Sequence, residues 1–245
     1  IAAAADRCRD RPPRLVIVAS GLLHADDRLR PEKSLQELDP ARLARVFAVN
    51  ATGPALVLKH FAPLLPRRGK AVVAALSARV GSISDNRLGG WYAYRASKAA
   101  LNQLLRSASI EVARRWREAL VVGLHPGTVD TALSAPFRGN VAPAKLFTPG
   151  HAAGALLAVI DRLEPADSGG GFPWDGRPAP PWTAGRPGVR GRASGGRRCW
   201  RAAPPPDRVR CGPPGPITTS RSSRPTSRSC CSTSCGCATG IPCTS

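Results

Sequence analysis

The sequence predicts an α/β fold built on a parallel β-sheet, and three observations lead there. Short, fully apolar, β-branched runs recur at Leu15 to Ala19 (LVIVA), Lys70 to Leu76 (KAVVAAL) and Leu120 to Leu124 (LVVGL). Such runs fit strands buried on both faces, as in parallel sheets. Segments with apolar residues at helical 3,4 spacing separate them, so strand, helix, strand, helix follow at the distances of βαβ units. Each run also ends in small or turn-forming residues: Ser20-Gly21, Ser77 and His125-Pro126-Gly127. In open parallel sheets ligands bind at that carboxyl edge.

Taken in order, residues 1–14 are an alanine run and then mixed charge with two prolines, expected as a disordered lead-in. Residues 24–38 read as polar loop. Asp39-Pro40 is an N-cap followed by proline at the first helical position, opening a helix to about Leu58 with Leu43, Val46 and Phe47 on its apolar stripe. Asn50 falls on that stripe, and a polar amide there needs partners. It is either a satisfied structural residue or part of a site. Residues 79–91 form a Gly/Ser/Asn loop. The next helix runs from about Tyr94 to about Trp116, with Leu101, Leu104, Leu105, Ala108 and Val112 on one side. Thr148-Pro149 opens another through Ala155, Leu156, Val159 and Ile160, and Gly169 to Gly176 forms a last short strand and turn.

The chemistry is most legible in GGWYAYRASKAALNQLLRSA, Gly89 to Ala108. It holds the chain's only two tyrosines, Tyr92 and Tyr94, and Lys98, one of five lysines. Tyr94 and Lys98 are four residues apart and share a helix face. A cation beside a phenol favours the phenolate, which makes Tyr94 a candidate general acid/base. The competing reading is an ordinary pair on a helix surface.

Composition is uneven. Net charge is +20, half of it in residues 183–245, where 11 arginines face one acid, Asp207. That segment has no lysine, almost no apolar run and seven of the eight cysteines; it is expected to be a disordered Arg/Pro/Ser/Cys-rich tail. Its cysteines offer no C-x-x-C pair and no histidine joins them, so no metal site is expected. Its one aromatic, Trp200, gives no stacking platform, so phosphate attraction there is non-specific and no specific nucleic-acid partner is expected. Only Cys8 lies in the body, which points to a reduced, cytoplasmic setting. No apolar run approaches the ~20 residues a bilayer needs, and no membrane partner is expected. His24, His60, His125 and His151 are scattered and read as structural or surface residues. The chain has no methionine and opens on Ile1 within an alanine run, so it is expected to be a fragment lacking its N-terminus.

Together, Tyr94-x-x-x-Lys98 in WYAYRASKAALN, Asn50 in VNATGP and HPGTVDT from His125 to Thr131 resemble the short-chain dehydrogenase/reductases. SARVGSISDNRLGGWYAYRASKAALN, KHFAPLL and LSAPFRGNV are similar to the C-factor-like subfamily, named for a cell-to-cell signalling protein. The resemblance covers about residues 15–182, and its motifs occur in the family's order. It implies a Rossmann-like doubly wound parallel sheet and an NADP- or NAD-dependent oxidoreductase acting on a carbonyl or alcohol. A small-molecule substrate and, at full length, a homo-oligomer follow from it. Residue by residue, it makes Tyr94 the proton donor or acceptor. Lys98 lowers the tyrosine pKa and holds the nicotinamide ribose, and Asn50 joins a proton relay. A strand-end serine bonds the substrate oxygen. Ser20 and Gly21 lie beside the cofactor, and Pro126, Gly127 and Thr131 border the nicotinamide.

Two departures stand out. The family's catalytic serine is followed by two residues and a glycine; counting back from Gly81, that slot holds Ala78, with Ser77 one position early and Ser82 a fallback. No glycine-rich turn precedes Leu15, so the first half of the sheet, which carries the cofactor phosphates, is expected to be missing. That would leave weak cofactor binding and an open apolar sheet edge. The competing class is a non-enzymatic signalling or interaction remnant, or a basic nucleic-acid binder acting through the tail.

Overall fold

The computed structural model describes residues 1–25 and 29–177. The tail expected at 183–245, and the end of the domain expected to reach residue 182, lie outside the described residues.

Four parallel strands form one sheet in the order β1-β2-β3-β6: β1 (Leu15–Val18), β2 (Ala71–Leu76), β3 (Ala119–His125) and β6 (Gly171–Pro173). Two two-residue strands, β4 (Thr128–Val129) and β5 (Leu146–Phe147), pair with each other beyond the carboxyl end of β3. The three apolar runs are thus adjacent parallel strands, in register Leu15↔Val72 and Val72↔Leu120.

Side chains alternate across a strand, and the two faces bury separate clusters. On one face Val18, Val73, Ala75 and Val121 pack with Leu58 of α3 (Gly53–Phe61) and Leu101, Leu105 and Val112 of α4 (Tyr92–Ala113). On the other, Val72, Ala74, Leu120 and Val122 pack under Leu156, Val159 and Ile160 of α5 (Pro149–Arg162). Helices on both faces make the sheet doubly wound.

Strand β1 departs from its expected burial on both faces. Leu15 and Ile17, registered with Val72 and Ala74 on the α5 face, are 40% and 44% exposed. α5 covers β2 and β3, and no described helix reaches β1 on that side. Among the described residues β1 is also an edge of the sheet.

The lead-in departs too: Ala2–Asp6 form a short helix, α1, with Ala5 buried. Alanine has the highest helix propensity, and one buried methyl anchors the turn. Two later helices start as the caps predict. Asp39 accepts the Arg42 N–H at 2.7 Å to open α2 (Pro40–Phe47), and Thr148 accepts the His151 N–H at 3.2 Å to open α5.

Between α2 and α3, Ala48–Thr52 form a π-helical turn containing Asn50. Pro54 explains it. Its ring has no N–H for the carbonyl four residues back and crowds that carbonyl, which belongs to Asn50, so the turn widens. Such bulges concentrate at functional sites.

Candidate active site at the carboxyl edge of the sheet

Asn50 is fully buried and makes three side-chain hydrogen bonds. Its Oδ1 accepts the Leu22 N–H at 2.7 Å, and its Nδ2 donates to the Leu22 carbonyl at 2.8 Å and to Ser97 Oγ at 3.0 Å. Ser97 Oγ in turn donates to the Tyr94 carbonyl at 2.8 Å. The amide therefore clamps the segment after β1 to the first turns of α4. Both amide hydrogens are engaged, so the side chain works as a clamp.

Lys98 is 3% exposed, and its Nζ donates to the Leu76 carbonyl at the end of β2, at 2.8 Å. The ammonium has three donors, and the other two meet no described residue. Nζ also lies 5.7 Å from the centre of the Tyr94 ring. The Tyr94 hydroxyl bonds no other described residue. Burial pushes the Tyr94 phenol up to about 12 and the Lys98 ammonium down to about 8. The sequence expectation that the cation lowers the phenol is therefore not met in this state. Lys98 is turned to a backbone carbonyl over the ring, and desolvation of both groups prevails.

Gly21 borders this cluster. A Cβ there would sit 3.9 Å from Lys98 Nζ and 4.0 Å from Asn50 Oδ1. Ser20 and Gly21 are exposed, leaving an open cradle in front of the ammonium. Two N–H donors and a phenol without partners among the described residues, with that opening, fit the ribose and nicotinamide end of a dinucleotide. Among the described residues there is no glycine-rich strand-to-helix turn for its phosphates.

Pro126 and Gly127 follow β3 as expected. Gly127 has φ +78°, and a Cβ on it would meet Phe147 at 2.7 Å, so glycine is required for the loop to lie against β5. Thr131 is exposed and anchors a turn through its backbone to Ser134. The His125 imidazole is pushed down to about 4, first by burial and then by Arg79, and its buried Nδ1 has no partner among the described residues.

Ser77 is buried just beyond the end of β2. Its hydroxyl donates to Asn102 Oδ1 at 2.7 Å. Asn102 lies eight residues beyond Tyr94 along α4, so this bond braces β2 to α4. Ala78 occupies the slot counted from Gly81. Ser82 is 2% exposed and accepts the Asp85 N–H at 3.1 Å.

Sequence reasoning missed Ser97, Asn102 and Glu32. Ser97 and Asn102 sit inside the quoted YRASKAALN stretch at helical spacing from Tyr94, which was the available signal. Glu32 is 3% exposed, and its Oε2 accepts the Ala93 N–H at 3.2 Å at the N-terminus of α4. Nothing in the local sequence marks that contact, because 61 residues separate the partners. Among the described residues no group of three metal-ligating side chains occurs, and no helix is long and apolar enough to cross a membrane.

A tyrosine and lysine on one helix, an asparagine clamp and an open strand-end cradle thus meet at the carboxyl edge of the sheet. A family model described as short chain dehydrogenase matches residues 15–141. The chain is 40% identical over 147 residues to C-signal of Myxococcus xanthus, covering 60% of this chain and 83% of that protein. It is 36% identical over 132 residues to 1-hydroxy-2-glutathionyl-2-methyl-3-butene dehydrogenase of Rhodococcus sp. strain AD45, covering 54% and 55%. Among solved structures, the NADPH-bound carbonyl reductase from chicken fatty liver superposes with a TM-score of 0.61 at 27% identity, over 73% of this chain and 69% of that one. The carbonyl reductase Sniffer of D. melanogaster gives 0.60 at 26% identity, over 72% and 70%. The chain belongs to the short-chain dehydrogenase family. It spans about half the length of the Rhodococcus dehydrogenase and of several further curated relatives.

Proposed function

We propose that the chain carries the acid/base half of an NADP- or NAD-dependent oxidoreductase that interconverts a small carbonyl compound and its alcohol. The observation that carries this reading is the Tyr94 ring beside Lys98 at an open strand-end cradle, where among the described residues the Tyr94 hydroxyl has no partner and Lys98 Nζ has one. The NADPH bound in the chicken carbonyl reductase supports the choice of cofactor.

A bound nicotinamide supplies or accepts the hydride at the substrate carbon. Tyr94 Oη donates a proton to the carbonyl oxygen in reduction and takes it back in oxidation. Lys98 holds ribose hydroxyls with its two free N–H groups. An occupied site that turns Nζ toward the phenol favours the phenolate and brings the raised pKa down toward the working range. Asn50 holds the β1 loop and the first turns of α4 in one arrangement, which keeps Gly21 facing Lys98.

The test is NADPH titration and NADPH-dependent ketone reduction by the chain and by Tyr94→Phe. The variant is expected to bind cofactor equally and to lose ~10²–10⁴-fold in rate, the usual contribution of general acid catalysis. No cofactor binding by the chain, or an unchanged rate in the variant, overturns the reading.

A further inference from the structure

Trp91 is the one non-glycine residue among those described with positive φ (52°), and it follows Gly89 and Gly90 at 64° and 62°. A left-handed turn thus leads directly into α4, with a bulky residue where glycine is favoured. The turn is held from several sides. The Trp91 N–H donates to the Glu32 carbonyl at 2.5 Å, and the Glu32 carboxylate accepts from Ala93. The Arg95 guanidinium donates to the carbonyls of Gly89 and Gly90. Strain maintained in this way points to a role for the side chain it presents.

That side chain lies at the Tyr94 end of the site. The indole meets the Tyr94 ring edge to face at 6.3 Å and the Phe137 ring at 4.7 Å with a 54° tilt. Phe137 is carried by the short helical segment Ala135–Asn140 beyond β4. His24, in the loop after β1, fixes that segment: its ring meets Phe137 at 5.9 Å, and its Nε2 lies 3.1 Å from the Ala132 and Leu133 carbonyls. Three separate loops therefore build one aromatic wall beside the tyrosine, and both Trp91 and Phe137 are only half-buried.

We propose that Trp91 and Phe137 are specificity-determining residues that select a carbonyl attached to an aromatic ring, the ring packing on this wall while the oxygen meets Tyr94 Oη. Offset and edge-to-face packing of rings supplies the preference. The inference rests on Tyr94 as the proton-transfer group.

Two substrates that differ only by a phenyl in place of a methyl, acetophenone and acetone, test it on the full chain with NADPH. Trp91→Gly keeps the left-handed backbone and removes the ring; Phe137→Leu keeps apolar bulk and removes the aromatic face. Each variant is expected to raise KM for acetophenone by about tenfold, the upper end for a lost aromatic pair. KM for acetone and the Kd for NADPH should stay within about twofold of the parent. Equal changes with both ketones, or none with either, overturn the inference. If the parent neither binds NADPH nor reduces ketones, the oxidoreductase reading fails by itself. The wall is then read by calorimetric titration with acetophenone: binding lost in Trp91→Gly upholds it, and no binding or equal binding by both proteins overturns it.

Discussion

Lys98→Met is predicted to stabilise the protein at neutral pH while abolishing its proposed chemistry. Lys98 is 3% exposed, carries its charge against a single carbonyl, and has its pKa lowered from 10.5 to about 8 by burial. At about 1.4 kcal/mol per pH unit, keeping it protonated in the folded state costs about 3 kcal/mol relative to the unfolded chain. Methionine retains the apolar stem and removes the charge, but gives up the bond to the Leu76 carbonyl, worth about 1 kcal/mol. The net gain at pH 7 is therefore about 2 kcal/mol, or about 4–8 °C in Tm for a domain of this size. The pH dependence follows from linkage. Between about 8 and 10.5 the unfolded chain still holds a proton that the folded lysine has released, so wild-type stability rises through that window. The variant has no such group, so its advantage shrinks there and reverses by about 1 kcal/mol above it. Tyr94 is common to both proteins and drops out of the difference. Urea unfolding followed by circular dichroism at several pH values measures this. A variant less stable than wild type at pH 7, or a gap that does not change with pH across the window, would refute the reasoning.

Three further substitutions probe the architecture around the pair. Asn50→Ala removes three hydrogen bonds, one buried and two part-buried, and strands the Leu22 backbone groups; a loss of about 3 kcal/mol in urea unfolding is expected. Gly81→Ala would place a methyl 2.8 Å from Lys98 Cβ and 2.9 Å from the Lys98 carbonyl carbon. Its expected cost is about 1–3 kcal/mol by overpacking, together with weaker NADPH binding as Lys98 shifts. Ser77→Ala leaves Asn102 Oδ1 without its donor, which costs about 1–2 kcal/mol; the rate of ketone reduction per folded molecule stays within about twofold of wild type, and a larger drop would return Ser77 to the substrate oxygen.

The covering of β1 and the bracing of Ser77 show where local reading stopped. LVIVA predicts a strand correctly because β-branched apolar runs suit the pleated sheet. Its burial depends on which helices lie across each face, and that is a tertiary matter. Ser77 and Ala78 are one step apart, and alternation sends adjacent side chains to opposite faces. Choosing between them requires knowing where Asn102 sits. Asp39 and Thr148, by contrast, cap helices through partners three residues away, and such contacts are readable from spacing.

The sequence by itself determined the three central strands and the main helices, their parallel arrangement, the family and the Tyr94–Lys98 pair with Asn50 nearby. All of these rest on periodicities of two to four residues or on motifs contiguous in the chain. Only the tertiary structure decided how those groups are used. It turned Lys98 to the Leu76 carbonyl, closed Asn50 onto Leu22 and Ser97, and committed Ser77 to Asn102. It also bound the α4 entrance to Glu32 and set Trp91 against Phe137. Except for the Asn50 link to Leu22, each of these joins the α4 helix or its entrance to a distant loop or strand. Contacts of that kind exist only once the sheet brings the strand ends to one edge.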